Sequence, residues 1–177
     1  FHPLIRDFAS SQLLERTSRR SLLEMHLRVA RAAEPLDWAV SAHHYIEADH
    51  RADAMRVLRE SAIEALGTAS WGAATALVDR MPDQPVPEAV VAIRAVDLVS
   101  KGQARRAAML LEGLSPDPDD KMAWGLTRVA LANVYMVLGH IDGVRLIVAE
   151  LTRREGMPTV IASLARGFAV LVETYDG

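Results

Sequence analysis

Apolar residues recur along this chain with a period near 3.6, and breakers separate one run from the next, which predicts a succession of amphipathic helices. The first run follows Pro3 and places Leu4, Ile5, Phe8, Ala9 and Leu13 along one face. A second follows Thr17 and Ser18, both residues that cap helices, and aligns Leu22, Leu23, His26, Leu27, Ala30 and Ala33. Pro35 opens a third, carrying Trp38, Ala42, Tyr45 and Ile46. A fourth runs from about His50 to Leu66 with Ala54, Leu58, Ala62 and Ala65 inward, and Gly67 stops it. Ser70 begins a short fifth helix with Trp71, Ala74 and Leu77, ended by Met81 and Pro82.

The stretch from Pro82 to Pro87 holds three prolines and is the clearest linker. Beyond it the pattern predicts helices over 86–100, 102–114, 122–138, 140–155 and 158–175, with a polar turn at 115–120. About ten helices with short connections make a solenoid or a bundle. Period-two alternation of β-branched and aromatic residues is nearly absent, so a sheet has little to build from.

Internal repetition favours the solenoid. Ala132, Tyr135, Gly139 and Val144 have the same spacing as Ala95, Leu98, Gly102 and Ala107, and a third copy fits Ala42, Tyr45, Asp49 and Ala54. In each, a small residue lets two helices approach, a large one fills the groove, and a turn residue closes the hairpin. The pattern resembles the tetratricopeptide repeat, with degenerate copies at an irregular interval. The expected fold is all-α: antiparallel helical hairpins stacked as a tetratricopeptide-like right-handed superhelix. The expected organisation is a terminal piece of a winged-helix or arm segment at 1–16, a degenerate helical-repeat arm at 17–82, and tetratricopeptide-like repeats at 83–177.

Composition narrows the function. Half of the residues are hydrophobic and only 5% aromatic, a helical balance. A net charge of -3 argues against coating nucleic acid, which needs a clustered positive surface. The pairs Arg19-Arg20, Arg105-Arg106 and Arg153-Arg154 are separated and interleaved with acids, so they read as solvated helix faces. Cysteine is absent, which rules out disulfides and thiolate metal sites and suits a cytoplasmic setting. No apolar run reaches the length of a membrane span. The chain starts at Phe1 without Met, so an excised piece of a longer protein is expected.

The opening Phe1-His2-Pro3-Leu4-Ile5-Arg6-Asp7-Phe8 resembles the end of the winged-helix domain in STAND nucleotide-switch ATPases, the class that includes the MalT-like regulators of the LuxR family. The segment Leu23 to Ala30 is similar to the helix after the winged helix in that group, Trp38 to Ala54 to its next hairpin, and Trp71 to Pro82 to the short helix that follows. The resemblance covers roughly the first half of the chain. It implies a sensor and arm region controlling an ATPase, with ATP or ADP bound elsewhere in the full-length protein and a DNA-binding domain further on. It also implies that His2 is the histidine of the MHD-type motif, which senses the β-phosphate of ADP in that longer protein. No GxxxxGK[ST] phosphate loop occurs here, so no cofactor is expected in this region itself.

Other candidates have plainer readings. His43, His44 and His50, with Glu47 and Asp49, suggest a metal, but adjacent histidines diverge by about 100° on a helix and no HExxH spacing exists. His44 reads better as a packed interface residue. Neither a Gly-x-Ser-x-Gly elbow nor a cysteine nucleophile is present, and Asp119-Asp120 sits where turn formers and a helix cap belong, so an enzyme is not expected. Trp38, Trp71, Trp124, Tyr45 and Tyr135 occupy inward positions and read as core. The polar residues of the inner helices, Arg94, Arg128 and Asn133, are the expected surface for a protein partner or small effector. The apolar stripe Val160, Ile161, Leu164, Phe168 and Leu171 of the last helix would be left uncovered and could pair two copies of the chain. The expected function is a ligand- or protein-binding sensor scaffold within a STAND-type transcriptional regulator; the alternative is a free-standing tetratricopeptide-like adaptor.

Overall fold

A computed structural model describes residues 18–175 of the chain. Ser18 accepts a hydrogen bond from the backbone N–H of Ser21 at 3.1 Å and starts α1 (Arg19–Ala33). Asp37 caps α2 (Trp38–Glu47) by accepting from Ala39 and Val40, and Asp120 caps the long α8 (Lys121–Leu138) by accepting from Ala123. Between and beyond them lie α3 (Arg51–Glu60), α4 (Ala62–Gly67), α5 (Trp71–Asp79), α6 (Glu88–Ser100), α7 (Ala104–Glu112), α9 (Ile141–Arg153) and α10 (Thr159–Glu173). The protein is all-helical across its described residues, with ten helices. The expected segment 1–16, its helix after Pro3, and His2 lie outside the described residues.

One element differs from expectation. The single helix expected from His50 to Leu66 is two, α3 and α4, because the chain bends at Ser61 (φ −93°, ψ 9°). Ser61 still donates to Val57 O at 2.9 Å and accepts from Ala65 N at 2.9 Å, so the bend leaves the backbone paired. Its effect is to turn Ala62 and Ala65 onto α6.

The hairpins close in the same way each time. Asp49, Gly102 and Gly139 take positive φ of 61°, 72° and 74°, and the next residue's N–H reaches back to Tyr45 (2.8 Å), Leu98 (2.8 Å) and Tyr135 (2.9 Å). This is the Schellman geometry, which satisfies the last helical carbonyls. A fourth copy has no glycine to announce it: Ala62, Ala65, Ala69 and Ala74 repeat the spacing, Ala69 sits at φ 55°, and Ser70 N–H reaches Ala65 O at 2.8 Å. The small positions of all four copies, Ala42, Ala54, Ala62, Ala74, Ala95, Ala107, Ala132 and Val144, are buried at helix crossings.

Helices pack on their sequence neighbours and on alternate helices: α6 lies against α7 and α8, and α8 also lies against α9 and α10. The buried side chains form one cluster from Ala30 to Val172 that runs through the proline linker without a break, with Met81 in it. Leu58, Ile93, Leu126 and Ile161 are among its largest fully buried side chains. On α10 the core-facing stripe is Ile161, Ala165 and Val172, while Leu164 and Leu171 are exposed. The five-residue stripe read from the sequence is therefore split between core and surface.

Candidate functional site

Where α3 bends into α4, the starts of α6 and α8 come alongside and leave a cleft of about 220 Å³. Its cause is local: Ala62, Ala89 and Ala123 stand where three elements converge, and none is large enough to fill the space. Ile63 and Leu126 supply an apolar floor, and Arg59, Glu60 and Asp120 supply the polar rim. Arg59 also lines a second depression of about 420 Å³ formed with Met55, Arg56 and the linker residues Gln84, Pro85 and Pro87.

The charges around the cleft are unequally engaged. Arg56 donates to Glu34 at 2.8 Å and to Glu60 at 3.0 Å, and Tyr45 Oη donates to Glu34 as well. Tyr45 first and Arg56 second hold the Glu34 carboxyl below the usual carboxylate value, and burial followed by Glu34 pushes the Tyr45 phenol up. Glu60 thus shares Arg56 with Glu34, and Arg59 lies 3.9 Å from Glu60. Asp120 is committed to capping α8. The arrangement presents a guanidinium beside an apolar floor, which suits a carboxylate carried on an aliphatic or small aromatic group.

The histidines are divided among different partners. His44 Nδ1 faces His26 Nδ1 at 2.8 Å, His43 Nδ1 accepts from Arg80 at 2.9 Å, and His50 Nδ1 lies 3.1 Å from Asp53. Arg80 also binds Glu47 and holds its carboxyl below the usual value. Among the described residues, no group of three or more His, Cys, Asp or Glu side chains is placed to hold a metal ion.

The three polar residues expected on the inner helices each have neighbours of their own. Arg94 donates to Asp79 at 2.8 Å across the α5–α6 seam. Arg128 lies 3.6 Å from Glu150 on α9, with its guanidinium 5.6 Å from the centre of the Trp124 ring. Asn133 is half-buried on α8, two turns beyond Leu126 and on the same face. Trp38, Tyr45 and Trp124 are buried as expected, while Trp71 and Tyr135 are half-buried. Arg59 was missed because its surroundings come from three separated stretches, and a lone arginine on an amphipathic helix carries no local signal.

No protein-family model, no curated protein and no solved structure matches this chain. None of the described helices is long and apolar enough to cross a membrane.

Proposed function

We propose that this chain is a helical-repeat binding scaffold whose ligand, a small carboxylate-bearing effector or an acidic or carboxyl-terminal peptide segment, sits in the cleft beside Arg59. The supporting observation is the cleft itself, an apolar floor of Ile63 and Leu126 beneath Arg59, with Glu60 of the same rim hydrogen-bonded to Arg56 and Asp120 engaged in capping α8. Four hairpins with the same cap geometry support a rigid tetratricopeptide-like stack, for which we propose the right-handed superhelix. Such stacks present fixed surfaces to partners, and the reading is of a binding region and not a catalyst.

The resemblance of the first half of the chain to MalT-like STAND regulators extends the proposal. In that setting the scaffold is cytoplasmic, requires no cofactor of its own, and passes effector binding to an ATPase switch whose ADP is sensed by His2. An effector that favours one state of the switch shifts the equilibrium by its differential affinity. A free-standing adaptor is the alternative, and pairing of two copies through the exposed Leu164 and Leu171 of α10 is compatible with either.

The test is a thermal-shift screen of this chain against carboxylate-bearing metabolites and a peptide pool, in parallel with the longest natural chain and ATP or ADP. Stabilisation by a carboxylate ligand that is lost in Arg59→Ala supports the cleft. Stabilisation that Arg59→Ala leaves intact places the ligand elsewhere. A nucleotide response of the longer chain that ligand binding alters supports the switch, and the absence of any nucleotide response favours the adaptor.

A further inference from the structure

Among the described helices α1 packs on α2, and its remaining contacts are marginal. Two polar contacts fasten this seam. Midway along α1, His26 Nδ1 meets His44 Nδ1 at 2.8 Å, with ring centres 5.0 Å apart and planes tilted by 35°. At its C-terminal end Glu34 is gripped by Tyr45 and Arg56. The first contact requires one imidazole Nδ1 to donate and the other to accept. A proton on both nitrogens turns the hydrogen bond into two N–H groups of two cations pointing at each other.

The neighbours offer little to offset that repulsion. Among the described residues, His43 and Glu47 from α2 and Arg80 from the end of α5 face the pair; Arg80 donates to His43 and binds Glu47, so that carboxylate is already paired. Of the charged groups in and just before α3, His50, Asp53 and Arg56 gather instead around Tyr45 and Glu34, Arg51 pairs with Asp49 and Asp83, and Arg59 lies beside Glu60. The polar contact nearest the N-terminal half of α1 is therefore sensitive to acid, and the contact at its C-terminal end is built on a carboxylate that resists protonation.

We propose that the His26–His44 pair is a proton-operated latch: charging both imidazoles releases the N-terminal half of α1 from α2 while the Glu34 clamp holds the other end, so that α1 swings as a hinged arm. Burial first, then His26 and His43, hold the His44 imidazole below its ordinary value near 6.5, so the latch is closed at neutral pH and opens as pH falls through the lowered value. Glu34 stays charged over that interval because its own carboxyl is held below 4.5. The latch does not depend on what the Arg59 cleft binds.

Backbone amide hydrogen exchange on the full chain, corrected for the intrinsic pH dependence of exchange, tests it between about pH 7.5 and about pH 5. The expected result is a loss of protection of about tenfold or more over residues 21–27, with residues 30–34 unchanged. His26→Gln and His44→Gln, which cannot charge, should remove the pH dependence, and His43→Gln should keep it. A flat wild-type profile, equal loss at both ends of α1, or a pH dependence that survives in His44→Gln would overturn the latch. If a variant does not fold, imidazole NMR of the unaltered chain decides: protonation of His44 must move the His26 ring resonances and release the N-terminal half of α1, and a His44 that takes up its proton without affecting His26 overturns it.

Discussion

Tyr135 on α8 occupies the space that a β-carbon on Gly143 of α9 would need: such an atom would lie 2.6 Å from Cδ2 of the ring. The ring has little freedom to yield, because Tyr135 Oη donates to Glu112 at 2.8 Å and the ring rests against His140 at 5.6 Å between centres. The small residue thus sets how closely α8 and α9 approach. Gly143→Ala should cost about 1–2 kcal/mol, the overpacking penalty less the roughly 1 kcal/mol that alanine gains over glycine in a helix. Urea denaturation measures it; a neutral or more stable variant would show that the hairpin can slide.

Ala69 closes its hairpin at φ 55° without the freedom of glycine. Replacing it by glycine removes a left-handed strain of about 1–2 kcal/mol at the cost of a floppier unfolded chain, so Ala69→Gly should stabilise by up to about 1 kcal/mol. Gly102→Ala and Gly139→Ala should have the opposite sign and a similar size, since both residues sit at positive φ with open space around the missing side chain. Thermal melts of the three variants check the pair of signs.

Glu34 and Glu47 bind protons more weakly in the folded chain than in the unfolded one, Glu34 through Tyr45 and Arg56 and Glu47 through Arg80. The unfolded state takes up protons first, so their contribution is complete above 4.5 and drains away as pH falls through the lowered folded values. Tyr45 works the other way: its contribution is complete below 10.0 and is lost as pH rises through its raised value. Glu34→Gln should cost on the order of 1 kcal/mol at neutral pH and flatten the acid limb of a stability profile, as measured by urea melts at several pH values. An acid limb of unchanged steepness would mean that other carboxylates carry it.

Trp124 is buried beneath the Arg154 guanidinium, which lies 4.3 Å from the ring centre and donates to Pro118 O at 2.7 Å. The contact ties the turn before α8 to the end of α9. Arg154→Ala should lower stability by roughly 1 kcal/mol through the lost cation–π contact and hydrogen bond. It should also change the Trp124 fluorescence, while Arg154→Lys keeps part of both effects. A Trp124 spectrum unaffected by Arg154→Ala would show that the stacking does not persist in solution.

Little more than periodicity and turn chemistry was needed to read the helices, because each amphipathic stripe and each glycine turn is a local property of the chain. The three spaced copies led to buried small residues and left-handed turns in the positions assigned to them. The fourth escaped notice because Ala69 has no intrinsic preference for the conformation it adopts; the packing of Ala62, Ala65 and Ala74 imposes it. The bend at Ser61 and the division of the α10 stripe were hidden for the same reason, since which of several apolar residues turns inward is settled by the neighbouring helix. His44 was legible as an interface residue, but its partner His26 stands on another helix.

The sequence by itself determined the class of the protein: all-helical, with glycine or proline marking many of its turns but not the one at Ala69. Those features follow from backbone sterics and the helical repeat, which act over a few residues. Tertiary structure alone decided the cleft at Arg59, the clamp on Glu34 and the pairing of His26 with His44. Each joins side chains from separate helices, and helix packing sets which of them meet and which charges are left unneutralised.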